Sequence, residues 1–171
     1  RQHVARMHHR RGHGVERGAR FDEMIKATAA LDPVPTAVVH PCDVLSLSGA
    51  LAAFDKGIIV PILVGPRGRI EAVAAEIGRD LAGIEIIDAP HSHAAAEQAV
   101  ALAHAGRARM LMKGKLHTDE LLKPVVSKDG GLRTERRMSH VFVLDVPSYP
   151  KLLMVTDAAI NIFPDLATKR D

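Results

Sequence analysis

The sequence reads as an α/β chain: an open, mostly parallel sheet with helices on both faces, followed by the start of a second subdomain with a β-hairpin. Three observations carry that reading. Short apolar runs alternate with helix-periodic segments from residue 21 to about 130. A glycine follows each crossover helix, at Gly57, Gly78 and Gly106. After about Gly130 the alternation stops, and two β-rich runs are joined only by Pro147-Ser148-Tyr149-Pro150, too short for a crossover.

The elements follow in order. Phe21 to Leu31 has helical spacing and is stopped by Asp32-Pro33-Val34-Pro35. Thr36 to His40 is a short strand, and Val44 to Lys56 a helix ending at Gly57. Ile58 to Gly65 is apolar throughout, as a strand buried on both faces can be. Arg69 to Ile77 is helical, Ile84 to Asp88 a third strand, Ala94 to Ala105 an alanine-rich helix and Arg109 to Met112 a fourth strand. Ser139 to Val146 and Lys151 to Asp157 form the hairpin. The expected organisation is a basic linker or tail over 1–20, a first domain over 21–130 and an incomplete second domain over 131–171.

Composition bounds the chemistry. Of 171 residues, 47% are hydrophobic and 25% charged, as in ordinary globular proteins, but only 3% are aromatic. The core must be aliphatic. Cys42 is the one cysteine, so no intrachain disulfide can form, and a reducing cytoplasm is the expected setting. No apolar run is long enough for a membrane helix. The chain begins with Arg1, and a fragment, a processed product or a trimmed chain is expected. Residues 1–20 hold six arginines and four histidines against Glu16. They lack the aromatic side chains that stack bases, so a solvated tail is a simpler account than a nucleic-acid arm.

In an open parallel sheet, ligands bind beyond the carboxyl ends of the strands. Four segments fall there: His40-Pro41-Cys42-Asp43, Gly65-Pro66-Arg67-Gly68, Asp88 to His93, and Lys113-Gly114-Lys115-Leu116-His117-Thr118. In the last, glycine permits a close backbone approach, the lysines supply charge, and Thr118 is placed to N-cap the next helix. Asp119 and Glu120 already complement the positive end of that helix. On spacing alone, a capped helix with solvated lysines is the simpler account. No Gly-x-x-x-x-Gly-Lys-Ser/Thr loop and no Gly-x-Gly-x-x-Gly fingerprint is present.

His91, His93 and Asp88 have too few companions for a metal site, and Ser92 reads better as an N-cap between exposed histidines. Cys42 with His40 as base is a conceivable nucleophile, but a small turn residue is the commoner role. Arg133, Arg136 and Arg137 precede a strand, and guanidinium forks bind phosphates bidentately. A solvated loop with Glu135 as counter-ion explains them equally well. Asp157 closes the last strand and Asn161 follows four residues later, on the same face if a helical turn forms. Asp157 then either orients a nucleophile or caps that turn.

Several of these segments together resemble one family. They are His40-Pro41-Cys42-Asp43, Pro61 to Gly65, Asp88 to Ala96, Met112 to Leu122, Gly131 to Val143, and Thr156 to Ile162. Residues 21 to 171 resemble the phosphate acetyltransferase/phosphate butyryltransferase family, most nearly the branch fused behind a hydratase-like domain in bifunctional enoyl-CoA hydratase/phosphate acetyltransferases. The resemblance implies reversible transfer of an acyl group between coenzyme A and phosphate. It implies a two-domain fold similar to isocitrate and isopropylmalate dehydrogenases, an interdomain active site, and a homodimer when complete. Acyl-CoA and phosphate are then the substrates, with no metal, no bound cofactor and neither nucleic acid nor membrane as partner.

Under that resemblance Lys113, Gly114, Lys115, His117, Thr118, Arg133, Arg136 and Arg137 are expected to bind the anionic substrates. Asp157 and Asn161 belong to the catalytic motif. A cysteine often follows the equivalent aspartate in the acetyl-specific branch; Ala158 stands here, so no cysteine role carries over. Family members continue well past the equivalent of Asp171. The chain alone is therefore expected to be inactive or nearly so, and to expose an unfilled sheet edge and apolar surface. A non-catalytic module binding coenzyme A or phosphate is the alternative.

Overall fold

The structure is a computed structural model that describes residues 19–157, 159–161 and 163–170. The basic segment before residue 19 lies outside them. Two compact units form. One is Thr28–Arg136; the other joins the described residues up to Ala27 to those from Arg137 onward. The expected 21–130 and 131–171 division is thus redrawn in this chain.

Thr28–Arg136 contains β1 (Val34–Val39), α2 (Val44–Asp55), β2 (Ile59–Gly65), α3 (Arg67–Glu76), β3 (Glu85–Asp88), α4 (Ser92–His104), β4 (Met110–Lys113) and α5 (Thr118–Val125). The four strands form one parallel sheet in the order β3-β2-β1-β4. Strand β1 is longer at its start than expected, because Val34 and Pro35 pair with Ile59 and Val60. It stops before His40, whose φ of 54° turns the chain into the left-handed region.

Side chains alternate across the pleat. Ala37, Val39, Ile62 and Val64 pack under the alanine face of α4 (Ala95, Ala96 and Ala99) with Leu121 of α5. Val38 and Leu63 face the other way, against Leu47, Ala50 and Leu51 of α2 and Ile70 and Ala74 of α3. Helices therefore cover both faces, as the sequence suggests. Small side chains on α4 let the helix lie close to the sheet without large aromatics. The glycines after α2, α3 and α4 take φ of 67°, 65° and 73°, which a side chain would resist. The edge strands β3 and β4 are four residues each and carry Glu85, Asp88 and Lys113, the short charged form that discourages further pairing.

The other unit contains α1 (Ala19–Thr28, through Ala27), β5 (Val141–Leu144), β6 (Leu153–Thr156) and α6 (Leu166–Arg170). Helix α1 starts and ends earlier than expected, since Leu31 N–H bonds Thr28 O at 2.9 Å in a turn before Pro33. Arg20, expected in the tail, is helical; its guanidinium pairs with Asp145 and donates to Val146 O at 3.2 Å. Strands β5 and β6 form the antiparallel hairpin, Val141 opposite Thr156 and Leu144 opposite Leu153. Its apolar side chains are largely exposed, Phe142 at 49% and Met154 at 75%. Among the described residues no helix is long and apolar enough to cross a membrane.

Candidate functional site

The four parallel strands end on one edge of the sheet, and the Lys113-Gly114-Lys115 turn closes onto that edge. Gly114 N–H donates to Val39 O at 2.9 Å and Lys115 N–H to His40 O at 2.8 Å. The turn thus continues the pairing of β4 with β1. A Cβ at Gly114 would lie 2.5 Å from Val39 O and 2.7 Å from His40 O. The glycine is required by the chain's own backbone, not by an approaching anion. His40 is buried, and its Nδ1 lies 2.6 Å from Lys115 O.

Charges around the turn are already partly matched. Lys115 Nζ lies 3.6 Å from Asp43 Oδ2. Asp43 also caps α2, accepting from Ser46 N–H at 2.8 Å and Ser46 Oγ at 2.6 Å. Those Ser46 bonds, with Lys115, hold its carboxyl below the usual range. Lys113 is exposed and makes no ion pair among the described residues. It is the turn's available cation.

The helix N-termini at this edge have acceptors of their own. Asp88 Oδ1 accepts from Arg67 N–H at the start of α3, 2.8 Å away. For α4 the cap is His91, whose Nδ1 accepts from Ala94 N–H at 3.2 Å; Ser92 is the first helical residue, not the cap. Its hydroxyl instead reaches Glu120 at 2.9 Å. For α5 the cap is His117, and Thr118 is the first helical residue, correcting the expected Thr118 cap. Glu120 accepts from His117 N–H at 2.7 Å and lies 3.3 Å from His93 Nδ1. The His117 bond, then Ser92, depresses its pKa. Free helix ends therefore contribute little to anion binding here. Side-chain cations must do that.

Cys42 is buried, and burial pushes its thiol up. A protonated buried thiol is a poor nucleophile, and the His40 ring is engaged with Lys115 O. The pair reads as a packed turn. Among the described residues no group of three or more His, Cys, Asp or Glu is arranged to hold a metal ion.

Arg133, Arg136 and Arg137 lie exposed on the segment between α5 and β5. Arg136 N–H bonds Thr134 Oγ1 at 3.1 Å. Arg133 and Arg136 belong to the parallel-sheet unit and Arg137 to the hairpin unit. In the hairpin unit, Asp157 Oδ1 accepts from Ala159 N–H at 3.1 Å and Ile160 N–H at 3.0 Å. Asn161 Nδ2 donates to Asp157 Oδ2 and to Met138 O at 3.0 Å. The Ile160 N–H, with Asn161 and Ala159, holds Asp157 far below the ordinary carboxylate range. A carboxyl so acidic stays ionised and accepts donors; it is a poor proton acceptor near neutral pH.

The sequence does not show three ties: Asp43 to Lys115, Asp88 to Arg67, and His40 to Lys115. The capping role of Asp43 has a local signal, its spacing to Ser46 at the third helical position. The three ties themselves join residues far apart in the chain, and no local pattern marks them.

Residues 92–171 match the family model described as Phosphate acetyl/butaryl transferase. The chain is 56% identical over 153 residues to the phosphate acetyltransferase of Rhizobium meliloti, covering 90% of this chain and 48% of that protein. The chain is similar to the phosphate acetyl/butyryl transferase family. The phosphate acetyltransferase of Rickettsia prowazekii is 50% identical, covering 88% of this chain and 43% of that one. The phosphate butyryltransferase of Clostridium acetobutylicum is 37% identical, covering 88% and 50%. The chain thus spans about half the length of these curated relatives.

Its fold is shared by a branched-chain phosphotransacylase from Enterococcus faecalis, with TM-score 0.58 at 22% identity, over 78% of this chain and 46% of that one. It is also shared by the EutD phosphotransacetylase of Staphylococcus aureus, with TM-score 0.62 at 18% identity, over 86% and 52%.

Proposed function

We propose that the complete protein is a phosphate acyltransferase, converting acyl-CoA and phosphate to acyl phosphate and coenzyme A, reversibly. The carrying observation is the 56% identity, across nine-tenths of this chain, to a phosphate acetyltransferase. In the direction from acyl phosphate, the coenzyme A thiol gives its proton to a base and attacks the acyl carbon. A C–S bond forms, the bond between the acyl carbon and the bridging oxygen breaks, and that oxygen leaves with phosphate.

Both substrates are anions, so cations that gather them lower the cost of their approach. Lys113 and Lys115, with Gly114, His117 and Thr118 beside them and Arg133, Arg136 and Arg137, are the proposed binding residues. Asp157 and Asn161 are the proposed catalytic-motif residues. The Asp157 carboxyl, kept ionised by the Ile160, Asn161 and Ala159 donors, suits a fixed anion that orients the Asn161 amide. A dehydrogenase-like two-domain architecture, a homodimer and a cytoplasmic setting accompany the proposal. So do acyl-CoA and phosphate as substrates, with no further cofactor. Relatives named for acetyl and for butyryl transfer leave two acyl chains to compare.

The experiment is a coupled assay of acyl-phosphate-dependent CoA acylation on the complete protein, with acetyl and butyryl phosphate. Failure with every short acyl phosphate sinks the proposal. The alternative, a binding module without turnover, is disfavoured by transferase relatives across nearly all of this chain. Calorimetric titration with coenzyme A separates the two.

A further inference from the structure

We propose that His40 is the positioning residue of the Lys113-Gly114-Lys115 turn, locking it onto the end of β1 so that the Lys113 ammonium is held for anionic substrate. The proposal rests on the acyltransferase reading only for the identity of that substrate.

His40 is the one non-glycine residue with positive φ among the described residues, at 54°. A side chain in the left-handed region persists only where its surroundings hold it there, and such residues gather at functional sites. The surroundings here are complete. His40 N–H donates to Val64 O at 2.7 Å, and His40 O accepts from Cys42 N–H and Lys115 N–H, each at 2.8 Å. The ring adds the fourth bond, Nδ1 to Lys115 O at 2.6 Å. A carbonyl can only accept, so Nδ1 carries the hydrogen.

Lys115 is therefore gripped on both backbone groups by one residue 75 positions away. Its ammonium is drawn to Asp43 in the same segment. Gly114 is pressed against Val39 O and His40 O too closely for any side chain. The turn has one seat, and the ring closes it. Lys113, opposite Val39 in the sheet, ends the strand that the turn anchors. A site gains from groups held within a fraction of an ångström by a supporting shell. His40 has the burial and the bonding of such a support, and it need not touch substrate.

The test compares His40→Ala and His40→Asn in the complete protein. Asparagine tolerates left-handed backbone and sets a side-chain N–H close to the place of Nδ1–H. Alanine offers no donor. Four quantities are read: amide hydrogen exchange at Gly114 and Lys115, calorimetric Kd for coenzyme A and for inorganic phosphate, KM against kcat, and Tm. We expect His40→Ala to speed Lys115 exchange and weaken coenzyme A or phosphate binding by about tenfold, with kcat moved much less. His40→Asn should recover most of the binding. If His40→Ala does not fold, His40→Gln takes its place; its amide sits one carbon further out and should not rescue.

Unchanged exchange in His40→Ala, or in the His40→Gln that replaces it, overturns the clasp. Faster exchange with unchanged Kd overturns the positioning role and leaves a structural histidine. A wild-type protein that binds coenzyme A and phosphate but transfers no acyl group sinks the enzymatic reading alone. One that binds neither overturns both.

Discussion

Gly114→Ala tests how the turn is built. The new Cβ would sit 2.5 Å from Val39 O and 2.7 Å from His40 O, both backbone atoms within the sheet's own edge. Neither can swing away as a flexible side chain can, so the turn must lift. Forcing one extra carbon into a packed site costs about 1–3 kcal/mol. Lifting also strains the Gly114-to-Val39 and Lys115-to-His40 bonds, at 2.9 and 2.8 Å, worth about 1 kcal/mol each. The expected loss is about 3–5 kcal/mol. The chain has no Trp and a single Tyr, so urea unfolding is best followed by far-ultraviolet circular dichroism. With a slope of about 2 kcal/mol per M, the midpoint should fall by roughly 2 M. A Gly114→Ala midpoint corresponding to less than about 0.5 kcal/mol of destabilisation, the range of ordinary surface changes, would show that the turn takes the methyl group without lifting.

Three further outcomes follow from the same structure. Gly49 is exposed within α2, and a Cβ there meets only Met112 Cε at an ordinary 3.8 Å; Gly49→Ala should stabilise by about 0.5–1 kcal/mol in the same urea experiment, and a loss would contradict it. Cys42 is buried with a raised thiol pKa, so iodoacetamide at pH 8 should label native protein about 100-fold more slowly than urea-unfolded protein, and equal rates would contradict that burial. Asp43, Glu120, Asp157 and Asp165 are all depressed in the folded state. Their contribution is complete above the unfolded carboxyl values of about 4 and is lost as pH falls through the folded ones. Stability should therefore drop in acid, and Glu120→Gln should make that drop shallower; an unaltered acid profile would show that Glu120 does not contribute to it.

The parallel sheet was legible because its signals are local. Buried strands are apolar throughout, and each crossover helix ends in a glycine that takes positive φ in the structure. The hairpin was legible from the short Pro147 to Pro150 connection. Helix caps were less so. Ser92 and Thr118 have the better propensity, yet His91 and His117 occupy the cap positions. At α4 an imidazole Nδ1 accepts an N–H as an asparagine oxygen would, which frees the Ser92 hydroxyl for Glu120. The grouping of α1 with the hairpin was not legible at all. Its ion pair joins Arg20 to Asp145, residues 125 positions apart, and each looks like an ordinary surface charge in its own segment. At Lys113-Gly114-Lys115, spacing alone favoured solvated lysines and only the resemblance implied binding; the reason for the glycine is visible only once β1 lies beside it. Asp157 and Asn161 were placed by resemblance; in the structure Asp157 accepts from the Ala159 and Ile160 N–H groups, as a residue capping that turn does.

On the proposed function, this chain contributes Lys113 to anion binding. Phosphate-dependent consumption of acetyl-CoA and butyryl-CoA by the complete protein, wild type against Lys113→Ala, separates that role from a solvated lysine. The expected result is one acyl phosphate for each coenzyme A released by the wild type. Lys113→Ala should raise KM for coenzyme A or phosphate by about tenfold, with kcat less affected. Wild-type protein inert toward both acyl-CoA substrates would contradict the function. A Lys113→Ala protein with unchanged KM and kcat would show that the lysine is merely solvated.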